Sequence, residues 1–162
     1  MEKAVFAVGC FWGVETVFSK FDGVVSTTVG YTGGNTPNPT YREVCSGQTG
    51  HAEAVEIKFN PEVITYRDLL DIFWINHDPT MMNYLDYDLY SQYRSAIFYN
   101  NLEQRNQALE SAQEISDMKI YKYPIATEIL PTEKFYPAEE QHQRYFEKKD
   151  LVSCEFTSKK AG

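Results

Sequence analysis

The chain has 162 residues, 43% of them apolar, with 23 acidic against 15 basic side chains and a formal net charge of −8. That length and apolar share suit one globular domain that buries roughly two-thirds of its unfolded surface. The acidic balance leaves no basic stripe to neutralise a phosphate backbone, and no apolar run reaches the roughly 18 residues of a membrane span, so neither nucleic acid nor a membrane is an expected partner.

The N-terminal apolar run breaks at Gly9 and passes into a patterned helix, which is not the layout of a signal peptide, so a cytoplasmic location is expected. The cysteines are Cys10, Cys45 and Cys154. An odd number without a C-x-x-C pair does not suggest a disulfide framework. His51, His77 and His142 have no zinc-finger spacing, so metal binding is not expected. Redox or nucleophilic use of a thiol remains.

In chain order, residues 4–8 read as a short buried strand, followed by Gly9-Cys10-Phe11-Trp12-Gly13. Val14, Val17, Phe18 and Phe21 recur at helical spacing, so a helix begins at or just after Cys10 and ends near Asp22-Gly23. A cysteine on a strand-to-helix turn faces backbone N–H groups and the positive end of the helix dipole, and both favour the thiolate. Phe11 and Trp12 add an apolar wall beside the sulfur. A buried structural cysteine in a packed turn is the competing reading.

Residues 24–31 predict a strand, which closes a strand–helix–strand unit. Residues 32–50 carry Gly33-Gly34, Asn35, Pro37, Asn38-Pro39 and Gly47, too many turn formers for a regular element. Tyr41, Arg42 and Cys45 inside it point to an ordered loop lining a site, with Cys45 packed into the loop. Residues 52–59 alternate as a strand with Val55, Ile57 and Phe59 on one face. One step back along that face lies Glu53. If the strand reaches it, burial raises its pKa and makes it a proton donor near neutral pH; if the strand has ended, Glu53 is solvated.

Thr65-x-x-Asp68 resembles a capping box for a helix over residues 66–76, with Leu69, Leu70, Phe73 and Trp74 inward. His77 at its end reads as a partner of the helix dipole rather than a catalyst. Residues 80–93 form a second irregular segment, dense in tyrosine (Tyr84, Tyr87, Tyr90, Tyr93), so two loops are expected to face one pocket. A strand over residues 94–100 follows, then a polar helix over 101–117 with Leu102, Leu109, Ala112 and Ile115 as its apolar stripe. A last strand is expected over 125–130. Residues 138–149 read as a short, solvated, charged helix, and residues 150–162 as a mobile tail carrying Cys154. The pattern predicts a single catalytic domain over residues 1–162, folded as a two-layer α/β (α+β) sandwich with a mixed sheet and helices mainly on one face.

No histidine is placed as a base for Cys10, which argues against a cysteine protease. A thiolate beside an acid suits attack on an electrophile whose leaving oxygen must be protonated. A distant tail cysteine suits resolution of an oxidised first cysteine, or is a free surface thiol.

Gly9-Cys10-Phe11-Trp12-Gly13 with Glu15, Gly30-Tyr31-Thr32-Gly33-Gly34, Pro39-Thr40-Tyr41, Gly50-His51-Ala52-Glu53, His77-Asp78-Pro79-Thr80 and Gln92-Tyr93-Arg94-Ser95 stand in order along the chain. Together they strongly resemble the peptide methionine sulfoxide reductase A family. The resemblance implies a ferredoxin-like core and reduction of the S epimer of methionine sulfoxide, free or in proteins, as a repair after oxidation. Cys10 matches the family's nucleophile, and Phe11 and Trp12 match the receptors of the substrate methyl. Glu53 matches the acid that protonates the sulfoxide oxygen, Tyr41 and Tyr93 the hydroxyls that hold it, and Asp88 a carboxylate of the same network. Cys154 matches a resolving cysteine, which implies a Cys10–Cys154 disulfide recycled by thioredoxin or another dithiol, with no bound cofactor and a monomeric enzyme. The chain departs from the family pattern at Tyr87 and Tyr90, and at Asp150-Leu151-Val152-Ser153, which replaces the usual Pro-Asn-Gly-Tyr before the cysteine. A thiol peroxidase or thiol transferase using Cys10, and a non-catalytic aromatic binding module, are the alternative classes.

Overall fold

A computed structural model of the protein describes residues 1–80 and 92–149. Six strands form one open mixed sheet in the order β5-β4-β1-β3-β2-β6. They are β1 (Glu2–Val8), β2 (Val24–Thr32), β3 (Ala52–Phe59), β4 (Ser95–Tyr99), β5 (Glu128–Pro131) and β6 (Tyr136–Pro137). The helices are α1 (Phe11–Ser19), α2 (Tyr41–Cys45), α3 (Tyr66–Ile75) and α4 (Leu102–Asp117), with a 3₁₀ turn at Glu140–His142.

β3 runs antiparallel to both β1 and β2 and lies between them. The unit β1–α1–β2 is therefore a split βαβ, and β3–α3–β4 is a second one straddling β1. These interleaved units make the ferredoxin-like core, an α+β arrangement. β5 adds the single parallel pairing, to β4.

The pleat sorts the side chains of the central strands into two unequal cores. Phe6, Val55, Ile57 and Phe59 face the helices and pack with Phe18, Leu69, Leu70 and Phe73. The Phe6 ring lies 5.5 Å from that of Phe18 and 5.2 Å from that of Phe73. The opposite face carries Ala7, Ala52, Ala54 and Ala96, small residues closed over by Phe135. Helices thus cover one face, as the alternation predicts, and the start of α1 falls at the end of the sheet where Glu53 stands.

The strand expected as the last, over residues 125–130, is β5 at Glu128–Pro131, and β6 follows it, too short to leave an alternating pattern. Three other elements depart further from the sequence reading. Residues 32–50 are not wholly irregular: Thr40 and Glu43 close a capping box and start the short helix α2. Its capping signature is legible in the sequence, but the surrounding glycines and prolines mask so short an element. In α4, Leu102 and Leu109 are exposed, and the buried face is Gln104, Ala108 and Ser111, with Ala112 and Ile115 beside it. The polar members are inward because they have partners. Gln104 Nε2 donates to the Lys3 carbonyl at 2.9 Å, and the Trp74 indole N–H donates to Ser111 Oγ at 2.9 Å.

The third departure has the largest consequence. Residues 138–149 are exposed over most of their length, as expected, but they are not one helix and they are tied to the body of the fold. The segment crosses the sheet edge beside β2, with Val29 N–H donating to Gln143 Oε1 at 2.9 Å and Gln143 Nε2 donating to the Val29 carbonyl at 2.8 Å. Arg144 N–H donates to the buried carboxylate of Glu15 at 2.6 Å. His142 is buried at the end of the 3₁₀ turn, and the segment is α-helical only over residues 145–149.

Candidate functional site

β1 ends at Val8, and Gly9 makes the turn with φ of 114°, a left-handed value that a side chain would strain. Cys10 follows as the N-cap of α1 and is exposed at the mouth of the site. The amides of Trp12 and Gly13 face its sulfur and favour the anion, though no cap hydrogen bond closes. Partial burial works against them and is the stronger effect, and the nearby Glu53 carboxylate adds to it. The thiol pKa is therefore raised above its ordinary value near 9. The thiolate expected from the helix start is not the resting form, because desolvation and a facing carboxylate outweigh two amides.

β3 extends to Glu53, which is 1% exposed and stands on the helix-facing row. Glu53 Oε1 accepts from Phe11 N–H at 3.3 Å, and Oε2 accepts from Gln92 Nε2 at 3.0 Å. Burial is the dominant influence and pushes its pKa up to about 7, against the pull of those two donors. The carboxyl is thus poised to hold or release a proton at neutral pH.

Tyr41, on the first turn of α2, sits across from the aromatic pair. Its ring lies 6.4 Å from Phe11 and 6.3 Å from Trp12. The Cys45 thiol and the Tyr93 hydroxyl are electrostatic neighbours of its hydroxyl. Both phenols are raised in pKa, chiefly by desolvation, so both remain O–H donors at neutral pH. Phe11 is fully buried and backs the wall, whereas Trp12 is half-buried and presents it.

Hydrogen bonds, ring contacts and electrostatic neighbours bring Cys10, Phe11, Trp12, Tyr41, Glu53 and Tyr93 into one cluster. Asp88 and Cys154, with Tyr87 and Tyr90, lie outside the described residues. Cys45 is exposed rather than packed, and accepts from Gln92 Nε2 at 3.3 Å. His77 is no charged partner of a helix dipole. Burial lowers its pKa to about 4, so the neutral ring serves α3, with Nδ1 2.8 Å from the Phe73 carbonyl and Nε2 2.7 Å from Ser95 Oγ. Among the described residues, no group of three or more His, Cys, Asp or Glu side chains is arranged to hold a metal ion. No described helix is long and apolar enough to cross a membrane.

Sequence reasoning missed four residues that hold the recess in shape. Gln92 links Glu53 to Cys45. Glu139 accepts from the Tyr31 hydroxyl and from Tyr41 N–H, each at 3.0 Å. His142 Nδ1 accepts from the Trp12 indole N–H at 3.1 Å, and its ring lies 4.4 Å from Tyr41. Tyr145 stacks on Trp12 with ring centroids 3.9 Å apart. Three of the four come from the segment read as a solvated helix, and no local pattern announces a contact made across more than a hundred residues.

A half-desolvated thiol facing a buried, near-neutral carboxyl, with two phenols and an indole around them, is equipment for two-electron sulfur chemistry in which an oxygen must be protonated. The comparisons with known proteins agree. The family model described as peptide methionine sulfoxide reductase matches residues 2–161. The peptide methionine sulfoxide reductase MsrA of Methanosarcina acetivorans is 54% identical over 152 residues, covering 94% of this chain and 81% of that one. The crystal structure of reduced Mxr1 from Saccharomyces cerevisiae superposes with a TM-score of 0.80 at 36% identity, covering 91% and 84% of the two chains. Mxr1 has also been solved in complex with Trx2, a match with a TM-score of 0.63 at 30% identity that covers 87% of this chain and 83% of that one. The chain belongs to the peptide methionine sulfoxide reductase family, and is an oxidoreductase of that class.

Proposed function

We propose that this chain, as one catalytic unit, reduces the S epimer of methionine sulfoxide, free or in peptides, with Cys10 as nucleophile and Glu53 as proton donor. The observation that carries this reading is the pairing of the Cys10 thiol with a carboxyl whose pKa is pushed up to about 7. The substrate methyl rests against Trp12, backed by Phe11. The sulfoxide oxygen lies among Glu53, Tyr41 and Tyr93, with Asp88 in the same polar network.

Cys10 sulfur attacks the sulfoxide sulfur as Glu53 delivers its proton to the oxygen. The new S–S bond and the substrate S–O bond then break as the protonated oxygen passes to the Cys10 sulfur, so methionine leaves and Cys10 becomes a sulfenic acid. The substrate sulfur is reduced by two electrons and Cys10 is oxidised by two. The Cys154 thiol then displaces the oxygen as water, forming a Cys10–Cys154 disulfide. A dithiol protein of the thioredoxin type reduces that bond, a reading supported by the Mxr1–Trx2 complex. No prosthetic group is needed. Free thiols at Cys10 and Cys45 suit a reducing compartment, and we place the enzyme in the cytoplasm as a monomer.

The test is one exposure of the reduced protein to methionine sulfoxide without reductant, followed by mass spectrometry. One methionine per chain and a Cys10–Cys154 disulfide are expected. Turnover by Cys10→Ser, or faster turnover on hydrogen peroxide than on a methionine sulfoxide peptide, would overturn the proposal.

A further inference from the structure

Cys10 borders a second recess. Beside α1 lies a groove of about 280 Å³, lined by Val8, Cys10, Gly13, Val14, Val17 and Asn76. It shares only Cys10 with the aromatic and carboxyl recess. Its walls are mostly apolar, and at Gly13 an added Cβ would meet nothing within 4 Å. Ile75, next to the lining residue Asn76, is 82% exposed, an unusual position for an isoleucine.

We propose that this groove receives the chain around Cys154, with Leu151, Val152 and Phe156 supplying the apolar side chains, when the Cys10–Cys154 disulfide forms. The inference rests on the reading of Cys154 as the resolving cysteine and adds where its segment docks.

The chemistry sets the direction of approach. Displacement at a sulfenic sulfur is in line, so the incoming sulfur enters opposite the departing oxygen. That oxygen arrives from the Glu53 side, where its proton donor stands. The groove borders Cys10 and is lined by none of Glu53, Tyr41 and Tyr93, the groups proposed to hold that oxygen.

Chain length permits the approach. Tyr145 is anchored on Trp12, two residues from Cys10. Helical residues end the described segment at 149. Five further residues reach Cys154 and span up to roughly 17 Å when extended, while two residues span at most about 7 Å. The sequence Leu151-Val152-Ser153-Cys154-Glu155-Phe156 places apolar side chains on both flanks of the cysteine. Burying them in an apolar groove raises the effective concentration of the Cys154 thiol beside Cys10.

The experiment uses the full reduced chain and free methionine sulfoxide, with rapid quenching, alkylation and mass spectrometry. Val17→Lys charges the groove wall, and Leu151→Ser removes an apolar side chain from the tail and tests the same contact from the other partner. Both are expected to keep one methionine per chain at the wild-type rate and to slow Cys10–Cys154 formation at least tenfold. Turnover driven by dithiothreitol is expected to hold while turnover driven by thioredoxin falls. Disulfide formation at the wild-type rate in both variants would overturn the inference. So would a Val17→Lys defect confined to KM for peptide sulfoxides, which would give the groove to the substrate chain. A wild-type disulfide to Cys45, or none, would instead sink the reading on which the inference rests.

Discussion

The indole N–H of Trp12 donates to Nδ1 of His142 at 3.1 Å, although 130 residues separate the two. That bond needs an unprotonated Nδ1, so the imidazole must be neutral with its proton on Nε2. Burial lowers the pKa of His142 and keeps it so. The ring also lies against Tyr41, and Tyr145 covers Trp12. The wall proposed to receive the substrate methyl is therefore set from the far end of the chain.

His142→Phe keeps a ring but removes the acceptor. A hydrogen bond of this kind contributes about 1 kcal/mol, roughly a fivefold change. Because Trp12 is proposed to hold the methyl alike in ground and transition states, KM for methionine sulfoxide should rise about that much with kcat nearly kept. Steady-state kinetics with Trp12 fluorescence checks this; an equal fall in kcat with unchanged KM would contradict it.

Reduction by Cys10 and Glu53 carries a pH signature. The reactive form has a thiolate beside a protonated carboxyl, one proton between the two groups. A thiol beside a carboxylate holds the same proton count, so the active population follows the singly protonated pair. With Glu53 near 7 and Cys10 raised above its ordinary value, kcat/KM should climb as pH passes about 7 and fall again at alkaline pH. Glu53→Gln should erase the limb near 7 and cost about 10²-fold or more in the chemical step. A profile that falls as pH rises through 7 would instead assign activity to the doubly protonated pair.

Gln92 donates to Glu53 and holds its pKa below the value that burial alone would set. Gln92→Leu removes a donor that favours the ionised form, so the Glu53 pKa rises. The limb near 7 in kcat/KM should move to higher pH, which a pH–rate series on the variant measures.

The hydroxyl of Tyr66 is the one buried side-chain polar atom without a hydrogen-bond partner among the described residues. An unsatisfied buried hydroxyl costs about 1–3 kcal/mol. Tyr66→Phe should therefore stabilise the fold by about 1 kcal/mol, raising Tm by about 2–4 °C. Calorimetry on the two proteins decides it.

His77 is held neutral, with its pKa lowered to about 4. A group with a depressed histidine pKa stabilises the fold above its unfolded value near 6.5, and that contribution drains away as pH falls toward 4. The full displacement corresponds to about 3 kcal/mol. Denaturant titrations should show stability dropping across that window, and His77→Gln should flatten the drop.

Residues in local patterns were readable before any coordinates. The turn at Gly9 and Cys10, the alternation that carries Glu53 onto the row of Val55 and Ile57, and the capping signature before Tyr66 each depend on neighbours within a few positions. Glycine permissiveness, the two-residue strand period and the cap geometry act over that range. The composition of residues 138–149 could not reveal their place, because charge content reports solvation only when nothing else pairs with the charges. Glu15, Tyr31, Tyr41 and Trp12 do pair with that segment, and they are brought to it by the sheet order. In the same way, a helix start alone favours a thiolate at Cys10, and only the folded arrangement, which partly desolvates the thiol and places Glu53 near it, reverses the balance. Short-range sterics and periodicity decided which residues could act. Desolvation and long-range hydrogen bonding, which exist only once distant strands pair, decided their protonation and their orientation.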